Sequence, residues 1–239
     1  MFDVFSQLKE DYDRLTREGY DLFGVFLFGS QNYGLNHNGS DIDAYAVYFS
    51  TSKENAEQTT YFRVQENGDI HPISVNTFLL GLKLQEKKAL EIIFTPFYYV
   101  APQYQELYQK VKDKRNEIAR ARPYENLKRL LAYSQNELGN ARKYRTDSMK
   151  RVANVKRVLY LAEKYTEGQI YERCLTPTRA ESEELLFIKT KFNWSVDKQI
   201  SVMEQAVSRL EYLTQHWEAP PDDLSSLEEV QGYFNERII

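Results

Sequence analysis

The chain has 239 residues, 42% of them hydrophobic and 28% charged, which is enough for one large or two small domains around an apolar core. No apolar run approaches the roughly 20 residues of a membrane helix, and the first residues carry no basic-then-apolar secretion signal. The single cysteine, Cys174, excludes a disulfide framework and a cysteine metal site and points to a reducing cytoplasm. The net charge of −4 hides a segregation: Lys110 to Arg157 holds 15 basic and 5 acidic residues, leaving 16 basic and 30 acidic for the rest. That stretch is either a positive surface for phosphates or nucleic acid, or a set of solvated helix faces.

In chain order, Phe5, Leu8, Tyr12 and Leu15 recur at helical spacing, with Gly19 as a stop. Leu22 to Phe28 is an apolar run of strand length, and Gly29 to Ser40 is polar and rich in Gly and Asn. Asp41 to Phe49 reads as a second strand, in which Ile42, Ala44, Ala46 and Tyr48 share one face and Asp41, Asp43, Tyr45, Val47 and Phe49 the other. Tyr61 to Gln65 and Asp69 to Ile73 read as short strands joined by Glu66-Asn67-Gly68. Ser74 caps a helix expected to run through Leu90, and Thr95 to Pro102 breaks it with two prolines. Helices are expected over 103–118, 123–144, 146–165, 178–191 and 196–217, then an acidic, loosely held extension with a short helix near Leu227 to Phe234. The expected fold class is α+β: a small α/β domain with a mixed sheet over residues 1–100, a helical domain over 101–217 and an acidic tail over 218–239.

Phe28-Gly29-Ser30 precedes Asp41-Ile42-Asp43 by ten residues. Gly29 lets backbone turn and approach a ligand closely, and Ser30 offers a hydroxyl where backbone amides can meet an anion. Asp41 and Asp43 point to one face of a strand, where paired carboxylates call for a cation; Mg²⁺ takes few protein ligands together with substrate phosphates. A third acid on a neighbouring strand would complete such a site. His71 reads as a strand residue beside it, and Tyr33 as either a stacking or a packing ring.

These motifs resemble the DNA polymerase β-type nucleotidyltransferase superfamily. Gly29-Ser30-Gln31-Asn32-Tyr33-Gly34-Leu35 with Ser40-Asp41-Ile42-Asp43 is similar to the predicted nucleotidyltransferases of phages and bacteria. The resemblance implies catalytic and metal-binding roles for Asp41, Asp43 and, as the third acid that opens a strand before a helix, Asp69 (with Glu66 as the fallback), and nucleotide binding by Gly29 and Ser30. It implies two Mg²⁺ ions (Mn²⁺ being an alternative) that activate a hydroxyl and grip a nucleoside triphosphate. Met149 to Leu159 resembles a family segment of Lys-x-x-x-His-x-x-Arg form, which makes Lys150, Asn154 and Arg157, on one helix face, nucleotide-binding candidates; Asn154 stands where the family has His. Glu91 resembles a family position with a structural or bridging role. The implied activity moves a nucleoside monophosphate to a hydroxyl with release of pyrophosphate. The basic stretch favours an RNA 3′ end as acceptor. The alternatives are a small molecule or protein as acceptor, or a non-catalytic nucleotide-binding module. No membrane partner is expected, the compartment is the cytoplasm (a host's, if the chain is phage-encoded), and the oligomeric state is open.

Overall fold

A computed structural model describes residues 3–35, 42–51, 62–63, 68–145, 149–191 and 193–238. Among them no helix is long and apolar enough to cross a membrane. The fold is α+β, and the chain divides into two compact units: residues 1–121 with 223–239, and residues 122–222.

Unit 1 is built on a five-stranded mixed sheet, in the order β3-β4-β2-β1-β5. Helix α1 (Val4–Arg17) leads into β1 (Tyr20–Phe28), and β2 (Asp43–Thr51), β3 (Phe62–Arg63) and β4 (Asp69–Ser74) follow. Helices α2 (Val75–Lys83) and α3 (Lys87–Phe94) then lead to β5 (Tyr98–Val100). β1 runs antiparallel to β2 and β5, while β2 and β4 are parallel. The amphipathic face of α1 buries Leu8 and Leu15 on Leu22, Val25, Leu27, Ala44, Ala46 and Ile70, so β1 and β2 need apolar side chains on this face. A register shift around Leu22 and Gly24 lets Phe23 face the other way, against Phe26, Phe49, Tyr108 and Phe234. With both faces covered, β1 reads as a continuous apolar run.

Five expectations need correction. The helix expected from Ser74 through Leu90 is two helices, because Gln85 takes a left-handed backbone (φ 55°) and its buried amide donates to Leu82 O and Ile118 O at 2.9 Å each. β5 lies where only a break was expected: Pro96 and Pro102 flank it, and Tyr98 to Val100 pair with β1 between them. The helix expected over 103–118 is α4 (Gln105–Asp113) and α5 (Arg115–Ile118), meeting at Lys114. The acidic tail is no loose extension. Helix α11 (Ser225–Ile238) buries Leu227, Val230 and Phe234, and Phe234 lies against Phe23, Phe49 and Phe78 in the core of unit 1. The boundary expected near residue 100 therefore falls inside unit 1, since β5, α4 and α5 all pack on that core.

Unit 2 is helical. α6 (Pro123–Tyr144), with the N-terminal proline its start called for, is followed by α7 (Met149–Thr166) and the short α8 (Tyr171–Leu175), then α9 (Arg179–Lys191) and α10 (Val196–His216). α10 packs on α6 and α7, and α7 packs on α8 and α9. Leu127, Leu130, Val152, Val155, Leu161, Leu185, Met203 and Leu210 are buried in this unit.

Candidate functional site

Gly29 ends β1 with φ 86° and ψ −154°, a backbone region essentially confined to glycine. A 3-10 turn, Ser30–Tyr33, follows, and Gly34 closes it in a left-handed conformation. Asn32 N donates to Gly29 O at 3.2 Å, and Leu35 N to Ser30 O at 2.9 Å, so the chain folds back on itself within six residues.

Phe28 and Asp43 are register partners, which sets the start of β2 beside the end of β1. A methyl group on Gly29 would stand 3.7 Å from Asp43 Oδ2. The other oxygen, Asp43 Oδ1, accepts the backbone N–H of Asp69 at 3.2 Å. The parallel pairing of Ala44 with Ile70 carries this neighbourhood along both strands. Gly68 makes it possible. At φ 139°, any Cβ there would lie 2.2 Å from Ile42 O, so only glycine lets the start of β4 come this close to β2. The sequence reading took Gly68 as part of a turn signal; its second use, the close strand approach, needs the structure.

Two residues farther along both strands lie Tyr45 and His71. Tyr45 stacks on Phe28 with centroids 4.2 Å apart and planes at 22°, and His71 meets both rings edge-on or tilted. His71 is half-buried. Burial first, and then the positive charge of Lys88, hold its imidazole below the ordinary range, against the opposite pull of Asp43 and Asp69. At neutral pH the ring is therefore uncharged beside the two carboxylates. Lys88, on the first turn of α3, was not singled out from sequence. Nothing marks it apart from Lys87 until the structure shows that Lys87 pairs with Glu91 while Lys88 acts on His71.

The structure thus brings Gly29, Asp43 and Asp69 together, with Ser30 next in the chain. Asp41, the fallback Glu66, and Ser40 lie outside the described residues. Among the described residues no group of three or more His, Cys, Asp or Glu side chains is placed to hold a metal ion. Tyr33 is buried and its hydroxyl donates to Glu91, which answers the open choice for this ring in favour of packing.

In unit 2, Lys150 is exposed on the first turn of α7 and Asn154 is half-buried one turn on. Arg157 is only 7% exposed, so it belongs to the interior of the helical unit more than to its surface. The Lys189 ammonium of α9 is held below its ordinary range by burial and by the charge of Lys150. Much of the basic stretch is already ion-paired. Arg122 meets Asp222 at 3.1 Å, Arg129 meets Glu125 at 3.1 Å, and Arg151 meets Glu137 at 3.6 Å. Arg142 meets Glu204 and Arg145 meets Asp197, both at 2.7 Å, and Lys156 meets Glu184. Three residues of the basic stretch, Arg142, Arg145 and Lys156, are thus paired with acids of α9 and α10 that lie far from it in sequence.

No protein-family profile matches the chain, and no curated protein matches it. Among solved structures the chain is similar to a nucleotidyltransferase-like protein from Exiguobacterium sibiricum 255-15, with 13% identity over 98% of this chain and 79% of that one. The TM-score is 0.37, so no residue role passes from that protein to this one.

Proposed function

We propose that the chain is a nucleotidyltransferase that moves a nucleoside monophosphate from a nucleoside triphosphate to a hydroxyl acceptor, releasing pyrophosphate. The observation that carries this reading is Asp43, whose carboxylate is oriented by the Asp69 N–H on one side and faced by side-chain-free Gly29 on the other. A carboxylate fixed by backbone, beside a second carboxylate and a turn that admits close approach, suits the handling of a charged phosphate chain.

The donor set fits Mg²⁺ or Mn²⁺. Asp43 and Asp69 supply hard oxygen donors from two adjacent strands, few enough to leave positions for phosphate oxygens. Two ions held there, with Asp41 as a further ligand, would lower the pKa of the attacking hydroxyl and offset the charge of the leaving pyrophosphate. Gly29 would let the phosphates come close to the end of β1, and the Ser30 hydroxyl would donate to them. Asp69 would set the angle of Asp43 through its N–H as well as contributing its own carboxylate. His71, neutral and donating or accepting one hydrogen bond, would lie beside the acids without adding charge.

An RNA 3′ end is the acceptor favoured by the basic stretch, and Lys150 and Asn154 remain nucleotide-binding candidates. The ion pairs of Arg122, Arg142, Arg145 and Arg151 weaken that support, so a small-molecule or protein hydroxyl stands equal to it.

The test is a labelling screen. The full chain is incubated with Mg²⁺, α-phosphate-labelled ATP, GTP, CTP or UTP, and fractions of RNA, protein and metabolites. One donor should label one fraction, EDTA should stop it and added Mg²⁺ restore it. Asp43→Ala should lower it by about 1,000-fold or more while the chain stays folded. Absence of label with all four donors would sink the reading.

A further inference from the structure

The Gly29–Leu35 turn is held from behind by α3 and the residue that caps its C-terminus, Thr95. Glu91 is 3% exposed, and its carboxylate accepts the Tyr33 hydroxyl and meets Lys87 Nζ at 2.6 Å. Four residues on, Thr95 Oγ1 donates to Asn32 Oδ1 at 2.8 Å. Asn32 Nδ2 in turn donates to Leu27 O at 2.8 Å, which ties the turn to the end of β1. The Thr95 N–H caps α3 by donating to Glu91 O at 2.9 Å, so Glu91 and Thr95 grip consecutive residues of the turn, Tyr33 and Asn32.

A buried carboxylate is costly to keep, and a well-packed apolar residue of similar volume serves stability as well or better. What Glu91 provides that an apolar side chain cannot is a directional acceptor for Tyr33, with Lys87 as its counter-charge. We infer that Glu91 is a positioning residue: acting through Tyr33, it fixes the turn that sets Gly29 against Asp43 and presents Ser30. The inference rests on the proposed nucleotidyl transfer. Glu91 bonds to Tyr33 and Lys87, and its effect on reaction passes through the order of the turn. A turn ordered in advance spares the ordering cost that phosphate binding would otherwise bear.

The experiment uses the full chain carrying Tyr33→Phe, which removes one hydroxyl and keeps the ring, and Glu91→Gln, which keeps size and an acceptor oxygen but loses the charge. Hydrogen exchange of the amides at residues 30–35 is read without nucleotide. Losing a hydrogen bond to a charged acceptor should speed exchange there by about tenfold in Tyr33→Phe, with β1, β2 and α3 unchanged. With the donor found in the labelling screen, the same variant should raise KM by about tenfold with kcat within about threefold, and Glu91→Gln should fall between it and the wild type. A role confined to stability would lower the melting temperature and the active fraction and leave KM alone. Unchanged exchange in the turn, or an unchanged KM in a folded Tyr33→Phe chain, overturns the inference. Faster exchange in the variant with no transfer by the wild type overturns the proposed function instead.

Discussion

The candidate site of unit 1 and the exposed helix faces of unit 2 handle polar groups differently. In unit 1, the polar groups of the candidate site are tied to backbone or to one buried partner: Asp43 to the Asp69 N–H, Asn32 to Leu27 O, Tyr33 to Glu91. In unit 2, charged side chains meet charged side chains of other helices, at exposed positions: Arg142 with Glu204, Arg145 with Asp197, Arg209 with Glu163. Backbone partners are fixed by the strands themselves, so they restrict where the side chains bonded to them can point. Exposed ion pairs are screened, are held by long side chains and set little. The contrast gives the candidate site of unit 1 a geometry held by backbone and buried partners, and leaves unit 2 a surface whose charges are largely internally balanced.

The largest expected effect tests whether the units are independent. Phe234 is fully buried among Phe23, Phe49 and Phe78, although α11 is separated from them by the whole of unit 2 in sequence. Phe234→Ala should cost about 3–5 kcal/mol of unit 1 stability. Calorimetry should show the unit 1 transition moving down while that of unit 2 stays. A single transition moving as a whole would break the comparison.

Gly68→Ala comes next, because it strikes the backbone geometry on which unit 1 is said to depend. The new Cβ would fall 2.2 Å from Ile42 O, so β4 must draw back from β2 and take the Asp69 N–H from Asp43. Strain of this kind costs about 1–3 kcal/mol, and transfer should fall by about 100-fold. The check is the labelling assay beside a thermal melt. A variant with full activity would mean that Asp43 is set by something other than this strand contact.

This contrast also accounts for what could be read in advance. Gly29, Ser30 and Asp43 lie close together in sequence, and strand alternation alone assigns the Asp43 face; the α+β class follows from the same local periodicities. What escaped reading depends on partners far away. A left-handed Gln85 is selected by the carbonyls of Leu82 and Ile118, β5 by β1, and α11 by aromatic rings about 200 positions earlier. The pairing within the basic stretch escapes for the same reason, since Glu204, Asp197 and Glu184, which meet Arg142, Arg145 and Lys156, lie outside Lys110 to Arg157 in sequence.

Asp11 offers a smaller effect and an exception within unit 1, a buried acid whose charged partner is distant. It lies on the core face of α1 with Leu8 and Leu15, and Arg14 reaches it only at 3.9 Å. Burial pushes its carboxyl up to about 6, opposed by Arg14 and by a hydrogen bond from Gln7. A carboxyl raised in the folded state destabilises once ionised. Its cost is absent below the unfolded value near 4, grows up to about pH 6 and stays constant above. Asp11→Asn should therefore match the wild type near pH 4 and exceed it by about 1–3 kcal/mol at pH 8. Denaturant melts at both pH values check this, and equal gains at both would show that packing, not ionisation, sets the difference.

The smallest expected effect probes unit 2 directly. A double-mutant cycle on Arg142 and Glu204 should return a coupling under about 1 kcal/mol, shrinking further in high salt. The pair matters for binding more than for stability. With its arginines neutralised by α10, the wild-type chain should bind single-stranded RNA weakly, with a salt slope corresponding to few phosphate contacts. Glu204→Gln together with Asp197→Asn would release Arg142 on α6 and Arg145 at its C-cap, and each freed cation should steepen the slope by about one contact. If the wild type already shows a steep slope and the double variant adds nothing, then these pairs open in favour of phosphate, and the basic stretch is a nucleic-acid surface despite the carboxylates that meet it here.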